Sequence, residues 1–367
     1  MKKLLSVRNL KKYFPIPKTS LFQRERQYLR ANEDVSLDIF QGETFGLVGE
    51  SGCGKSTLGR TILQLYRQTE GQTLYYGRDL AEFSPQYVKK LPPDSEQKHD
   101  GGIDLTRLTA KEMRALRKDL QIIFQDPYSS LDPRMTVGQA IEEGVRTHGF
   151  YPRGSKELHE YVRHVAESCG LQSYMLQRYP HQFSGGQRQR ICIARALAVK
   201  PKFVVCDECV SALDVSIQSQ ILNLLSDLKE KEGLTYLFIS HDLSVVRYIS
   251  DRIAVMYLGR IVEIGSAAQV FDEPRHPYTL ALLSAAPSMG ELEKKEMPIL
   301  LKGGMPSAVN PPIGCPFHTR CFMAQECCQR IPAPLVEVEK GHFAACHFAA
   351  QTTEEKRERA KRFTKNV

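Results

Sequence analysis

The run Gly49-Glu50-Ser51-Gly52-Cys53-Gly54-Lys55-Ser56 has the spacing glycine, four residues, Gly-Lys-Ser, a pattern suited to holding phosphate. Its glycines let the backbone curl so that successive N–H groups point inward, forming an anion nest at a helix N-terminus. Lys55 would bring a positive charge to the β- and γ-phosphates, and the Ser56 hydroxyl would ligate Mg²⁺. Thr57 reads as a first-turn residue touching phosphate and Cys53 as a small residue within the loop. A second constellation lies at Lys202-Phe203-Val204-Val205-Cys206-Asp207-Glu208, an apolar strand ending in two carboxylates. Adjacent strand residues point to opposite faces, so the two acids need not share a role. Beside a phosphate loop, Asp207 is the expected Mg²⁺ ligand, and Glu208 is placed to orient and deprotonate an attacking water. On its own the pair would read as two acids capping a strand.

These groups need a scaffold, and the flanking pattern supplies one. Thr44-Phe45-Gly46-Leu47-Val48 is an apolar run suited to a buried strand, and it leads directly into the glycine-rich loop. Residues 57–63, 158–170 and 187–200 repeat their apolar positions at helical intervals, while 202–206, 235–240 and 252–257 are short apolar or β-branched runs. Strands alternating with helices predict an α/β fold whose mostly parallel sheet is covered on both faces. Leu5-Ser6-Val7-Arg8 and residues 35–39 alternate as strands, separated by a basic stretch that contains Pro15 and Pro17. Residues 92–104 read as an exposed, flexible insertion, and past about residue 265 the sequence becomes rich in proline and cysteine, suggesting a small separate module.

Composition narrows the class. With 42% hydrophobic and 25% charged residues the chain is expected to be globular rather than disordered. No run approaches the ~18 consecutive apolar residues of a membrane-spanning helix, and the start turns polar too early for a secretory signal. The expectation is therefore a cytosolic chain whose membrane role, if it has one, is peripheral. The net charge of +8 collects in residues 11–30 and 356–362, where solvated faces and a frayed terminus are the expected explanation. Ten cysteines without a secretory signal argue against a disulfide framework. Five of them, Cys315, Cys321, Cys327, Cys328 and Cys346, crowd one C-terminal segment.

Between the loop and the acid pair lies Phe183-Ser184-Gly185-Gly186-Gln187, which resembles the signature of ABC ATPases, with Phe183 where leucine is commoner. The resemblance implies a P-loop NTPase domain with a mostly parallel sheet, an antiparallel β subdomain and a helical subdomain. It also implies that Ser184, Gly185, Gly186 and Gln187 face the phosphate loop of a second subunit, so that ATP is sandwiched at a dimer interface. On the same resemblance Gln125 senses Mg²⁺ and the nucleophilic water, so that Ser56, Gln125 and Asp207 form the metal set. Ser211-Ala212-Leu213-Asp214 would cross the dimer interface, and His241 would contact the γ-phosphate. Tyr13 matches the aromatic residue that stacks on adenine, with Phe14 as its rival. Cys209 follows Glu208 where most relatives carry proline. Both acids are intact, so activity is expected.

The stretch Gln125-Asp126-Pro127-Tyr128-Ser129-Ser130-Leu131-Asp132-Pro133-Arg134-Met135-Thr136-Val137 and the run Arg275-His276-Pro277-Tyr278-Thr279 resemble the oligopeptide/dipeptide importer ATPases, whose relatives include nickel importers. This implies an ATP-hydrolysing subunit at the cytoplasmic face of the inner membrane. Its partners would be a second ATPase, usually a paralogue, two permease subunits and an extracytoplasmic peptide-binding protein. The implied layout is an ATPase domain over 1–265 with a helical subdomain at about 126–190, a Cys-rich extension over 266–350, and a basic tail over 351–367. Family spacing favours Cys315, Cys321, Cys328 and Cys346 as a thiolate set, with Cys327 spare, for a [4Fe–4S] cluster, a structural zinc, or no metal. The rival reading is a soluble ABC ATPase acting on nucleic acid or ribosomes. It fits less well, because nothing heptad-like separates Lys55 from Ser184 and the chain carries a single cassette, so no nucleic-acid partner is expected. A regulatory subunit without activity conflicts with Lys55, Asp207, Glu208 and His241.

Overall fold

The apolar runs that flank the phosphate loop and the acid pair are strands in the computed structural model. It describes residues 1–18, 26–90, 100–285 and 298–365, without the side chains of 81, 85, 90 and 363–365. The strands are β1 (Lys3–Pro15), β2 (Tyr28–Phe40), β3 (Thr44–Val48), β4 (Glu70–Tyr75), β5 (Ile103–Asp104) and β6 (Leu120–Ile123). They continue as β7 (Phe203–Asp207), β8 (Thr235–Ile239), β9 (Arg252–Tyr257), β10 (Arg260–Ser266), β11 (Val336–Glu339) and β12 (His342–Ala344). The helices used below are α1 (Lys55–Ile62), α2 (Val137–Thr147), α3 (Lys156–Ser168), α4 (Gly185–Leu197) and α5 (Val215–Glu232). Three more follow, α6 (Leu243–Ile249), α7 (Pro277–Ala285) and α8 (Thr353–Lys365). The chain forms two compact units, Met1–Ser6 with Asp38–Thr44 and Thr73–Ile239, and Val7–Leu37 with Phe45–Gln72 and Ser240–Val367.

In the first unit β6, β7 and β8 run parallel, with Ile123 opposite Cys206 and Asp207 opposite Ile239. Every residue of β7 and β8 is buried, which is why these strands are apolar throughout instead of alternating. The start of β7 is pinned by the Asp119 carbonyl, which accepts the N–H groups of Lys202 and Phe203 at 2.9 Å each. Asp119 is itself held by Arg78 (Nη2 to Oδ1, 2.8 Å) and by the Tyr75 hydroxyl at 3.1 Å. Helices α2, α3 and α4 begin at Thr136, Ser155 and Ser184, whose hydroxyls accept N–H groups of the first turn. The expectation of a flexible insertion over 92–104 is corrected at its end. Ile103 and Asp104 are fully buried in β5, where Ile103 pairs with Tyr75, and the Asp104 carboxylate accepts the Thr106 N–H at 3.0 Å. Residues 91–99 lie outside the described residues.

In the second unit β3 pairs parallel with β9, and β9, β10, β12 and β11 continue as antiparallel neighbours. In the C-terminal tail Arg357, Arg359, Lys361 and Arg362 are exposed as their charge suggested, but the segment is helical over its described residues and Lys356 departs from that expectation. Residues 353–365 form α8, where Lys356 is 0% exposed and donates to the Ala349 and Gln351 carbonyls. Ala360 packs with Leu280, Phe322 and Met323. A long basic side chain can bury its apolar stem and still satisfy its head on carbonyls. No helix among the described residues is long and apolar enough to cross a membrane.

Candidate active site

The chain leaves β3 at Val48 and enters the loop through backbone shapes that favour glycine, with φ of 151° at Gly49, 80° at Gly52 and 108° at Gly54. Space is also lacking at two of these positions. A Cβ on Gly49 would lie 2.2 Å from the Met256 carbonyl oxygen, and one on Gly54 would lie 2.2 Å from that of Ala31. Lys55 is only 4% exposed, and its ammonium donates to the carbonyls of Gly49 (2.8 Å) and Glu50 (3.0 Å). Carbonyl dipoles thus compensate a charge drawn out of water. The first turn of α1 carries no acid, which leaves the positive end of the helix dipole to an anionic ligand. Ser56 and Thr57 are half-buried in that turn, and the Cys53 thiol is buried, which raises its pKa.

Nearby in the same unit, the Tyr13 hydroxyl donates to Glu33 at 2.7 Å, and burial and this bond push its pKa up to about 12. Phe14 instead packs edge-on against Tyr66, with centroids 5.5 Å apart. His241 is exposed between β8 and α6, one residue before Asp242, which caps α6. Two residues that sequence reasoning passed over touch the loop: the Tyr278 hydroxyl accepts the Glu50 N–H, and Arg320 pairs with the Glu50 carboxylate. Tyr278 lies in the Arg275–Thr279 run that was noted only as a likeness. Arg320 left no local signal.

That run is also an anchor. Glu263, fully buried, accepts the N–H groups of Arg275 (2.7 Å) and His276 (2.8 Å) and meets His342 Nε2 at 2.7 Å. His276 Nδ1 accepts the Tyr278 N–H at 3.1 Å, a role only an unprotonated nitrogen can play. Burial, aided by the charge of Lys356, pushes the His276 pKa down to about 3 from 6.5. The unfolded chain would therefore bind a proton in the window from 6.5 down to about 3 that the folded chain refuses. Stability from this group is full above pH 6.5 and is lost as pH falls below it, by at most ~1.4 kcal/mol per pH unit. In thermal melts at descending pH the stability gap between wild type and His276→Asn should shrink below about pH 6.5. Parallel curves would exclude His276 as the source.

In the first unit the acids behave differently. Asp207 is 1% exposed at the end of β7, whereas Glu208 is half-buried and has left the strand in a left-handed conformation at φ 49°. Such a conformation costs a non-glycine residue about 1–2 kcal/mol. It is held by the Glu208 N–H on the Ile239 carbonyl (3.0 Å) and by Ser211, whose N–H and hydroxyl donate to the Glu208 carbonyl at 3.2 and 2.9 Å. The turn delivers the carboxylate to Gln125, whose Nε2 donates to it at 3.0 Å. Cys209, in place of the commoner proline, is buried, and its thiol hydrogen-bonds with Cys206, pushing the latter well above the ordinary thiol range.

Ser184 and Gly185 are exposed at the start of α4, where the Ser184 hydroxyl and Gln187 form a reciprocal cap. A Cβ on Gly186 would meet Ile217 at 2.4 Å, and one on Gly185 would sit 3.7 Å from Leu213. The signature and the Ser211–Asp214 loop are therefore adjacent. Asp214 caps α5 through the Ile217 N–H at 2.9 Å. The long run after Gln125 proves to be mostly turns and caps. Asp126 accepts the Tyr128 N–H, and Thr136 caps α2, while Tyr128 stays 66% exposed under the Arg188 guanidinium.

Among the described residues, no group of three or more His, Cys, Asp or Glu stands close enough to hold a metal ion. The zinc and iron–sulfur expectations for Cys315, Cys321, Cys328 and Cys346 therefore gain no support from this geometry. Burial raises all four thiols, Cys346 to about 11. Taken one by one, the Ser56 hydroxyl, the Asp207 carboxylate and the Gln125 amide each carry the kind of hard oxygen that Mg²⁺ prefers.

A family model described as ABC transporter matches residues 32–211, and one described as Oligopeptide/dipeptide transporter, C-terminal region, matches 262–328. The chain is 46% identical to the Oligopeptide transport ATP-binding protein AppF of Bacillus subtilis, over 94% of this chain and 97% of the relative. It is 45% identical to the Oligopeptide transport ATP-binding protein OppF of Haemophilus influenzae, over 94% and 96%. Among solved structures it resembles the dimeric post-hydrolysis state of the ATP-binding cassette MJ0796 bound to ADP and Pi. The TM-score is 0.58 at 26% identity, covering 72% of this chain and 99% of that one.

Proposed function

The chain belongs to the ATP-binding proteins of the ABC transporter family, in the oligopeptide/dipeptide branch, and on that premise we propose that it is the ATP-hydrolysing subunit of a peptide importer. The observation that carries this reading is likeness along the whole chain, cassette and C-terminal region alike, to transport ATPases named for oligopeptides. The chain is proposed to act as one half of an ATPase dimer, peripherally on the cytoplasmic face of the membrane, with permease subunits and an extracytoplasmic peptide-binding protein.

In this mechanism the N–H groups of Gly49–Thr57 and the Lys55 ammonium bind the β- and γ-phosphates, and Tyr13 stacks on the base. Mg²⁺ held by Ser56, Asp207 and Gln125 would neutralise charge on the phosphate oxygens. Glu208 takes the proton of the attacking water, and Gln125, already bonded to that carboxylate, fixes where it points. His241 contacts the γ-phosphate. Ser184 to Gln187 offer a helix N-terminus to the ATP held by the partner subunit, and Ser211–Asp214 lie at the interface. Hydrolysis then reopens the dimer, and the motion passes to the permease beside Gln125.

The iron–sulfur reading is a finer proposal. It rests on the spacing of Cys315, Cys321, Cys328 and Cys346, which resembles the cysteine-bearing extension of the family. Iron content and absorbance of anaerobically purified protein decide it, and no step above runs through these thiols. For the importer itself, tagged chain drawn from detergent-solubilised membranes should bring down integral membrane subunits. In liposomes the complex should couple ATP hydrolysis to uptake of short radiolabelled peptides. An ATPase that stays out of the membrane fraction and is stimulated by nucleic acid would overturn the proposal.

A further inference from the structure

The loop that carries Lys55 is gripped by residues far along the chain. The Glu50 N–H donates to the Tyr278 hydroxyl oxygen at 2.9 Å. Both oxygens of the Glu50 carboxylate accept from one nitrogen, Nη1 of Arg320, at 3.0 and 3.1 Å. Arg320 is 8% exposed, and a guanidinium at that depth is strongly unfavourable without a charged partner. Glu50 provides that charge, so the pair is held together from both sides.

Arg320 is itself well fixed. It ends a turn bounded by Cys315 and Cys321, in which the His318 N–H bonds the Cys315 carbonyl (3.1 Å) and the Arg320 N–H bonds that of Phe317 (3.0 Å). The ring of Phe317 closes a fully buried aromatic trio with Tyr257 and Tyr278, whose centroids lie 4.7, 5.2 and 5.3 Å apart. The guanidinium sits 5.9 Å from the Tyr257 ring. The chain of contacts then runs onward, because the Lys55 ammonium bonds the Glu50 carbonyl at 3.0 Å. The pose of Glu50 therefore sets one of the two anchors of the phosphate-binding ammonium.

We propose that Arg320, together with Tyr278, is a positioning residue for ATP, and that the cysteine-bounded turn is thereby a working part of the nucleotide site. The proposal rests on the reading of Gly49–Ser56 as the ATP cradle. Arg320→Gln should raise the Kd and KM for ATP by about tenfold while changing kcat less, because Glu208 and Gln125 are untouched. Arg320→Lys, which keeps the charge, should recover part of the affinity. Glu50→Gln breaks the same pair from the other side and should give the same shift, with the double variant no worse than either single one.

Wild-type ATP affinity in Arg320→Gln, a loss confined to kcat, or additive effects in the double variant would each overturn the proposal. If Arg320→Gln does not fold, Glu50→Gln decides by the same titration. Lys55→Ala separates the two levels of the argument. Normal ATP binding by that variant would sink the cradle itself, whereas its failure beside an unaffected Arg320→Gln would sink only the role of Arg320.

Discussion

Glu208→Gln is expected to cut steady-state phosphate release by about 10²–10⁴-fold, the usual worth of a positioned general base, while ATP still binds. The substitution is nearly isosteric and leaves an amide oxygen for the Gln125 Nε2 that now bonds Glu208 at 3.0 Å. The loop and Lys55 are unchanged. The variant should therefore accumulate an ATP-bound dimer, visible as a shift to larger size when ATP is added to the gel-filtration buffer. Asp207 is the poorer candidate for base, because it is 1% exposed at the end of β7 while Glu208 is turned out of the strand. Phosphate release near the wild-type rate would remove Glu208 from this role.

Lys55→Ala should act one step earlier. It deletes an ammonium that is anchored on the Gly49 and Glu50 carbonyls and, in the proposed complex, its charge-assisted bonds to phosphate. Two such bonds at roughly 1.5 kcal/mol each correspond to about a hundredfold in ATP affinity. Titration with a fluorescent ATP analogue measures this directly, and the order of severity should be Lys55→Ala above Arg320→Gln. Unchanged affinity would leave the glycine curl with no cationic partner for phosphate and contradict the assignment.

Much of this was written in short runs of sequence. The loop spacing from Gly49 to Ser56, the apolar β3 and β7 that feed it and the acid pair, and the signature that opens α4 are local patterns. Apolar runs must be buried, glycines must supply positive φ, and a hydroxyl before a helix must cap it, so each is legible without knowing the neighbours. Local charge misled where the third dimension intervened. Lys356 looked like part of a solvated tail and is fully buried, and Asp104 looked like part of a loose insertion and is also buried. In both cases tertiary packing covers the residue while hydrogen bonds to nearby groups, the Ala349 and Gln351 carbonyls for Lys356 and the Thr106 N–H for Asp104, offset the cost of burying it.

The sequence by itself determined the family, through the glycine loop, the acid pair and the signature, and with it the residues proposed to cradle phosphate, hold Mg²⁺ and activate water. Only the tertiary structure decided how those groups are aimed. It turned Glu208 into a left-handed bend facing Gln125, set Cys209 against Cys206, and brought Arg320 onto Glu50 across 270 residues. Spacing encodes what neighbours along the chain can do, because backbone geometry is periodic. An ion pair between distant residues with one end buried depends on desolvation and on rings packed from three segments, and no periodicity along the chain records it.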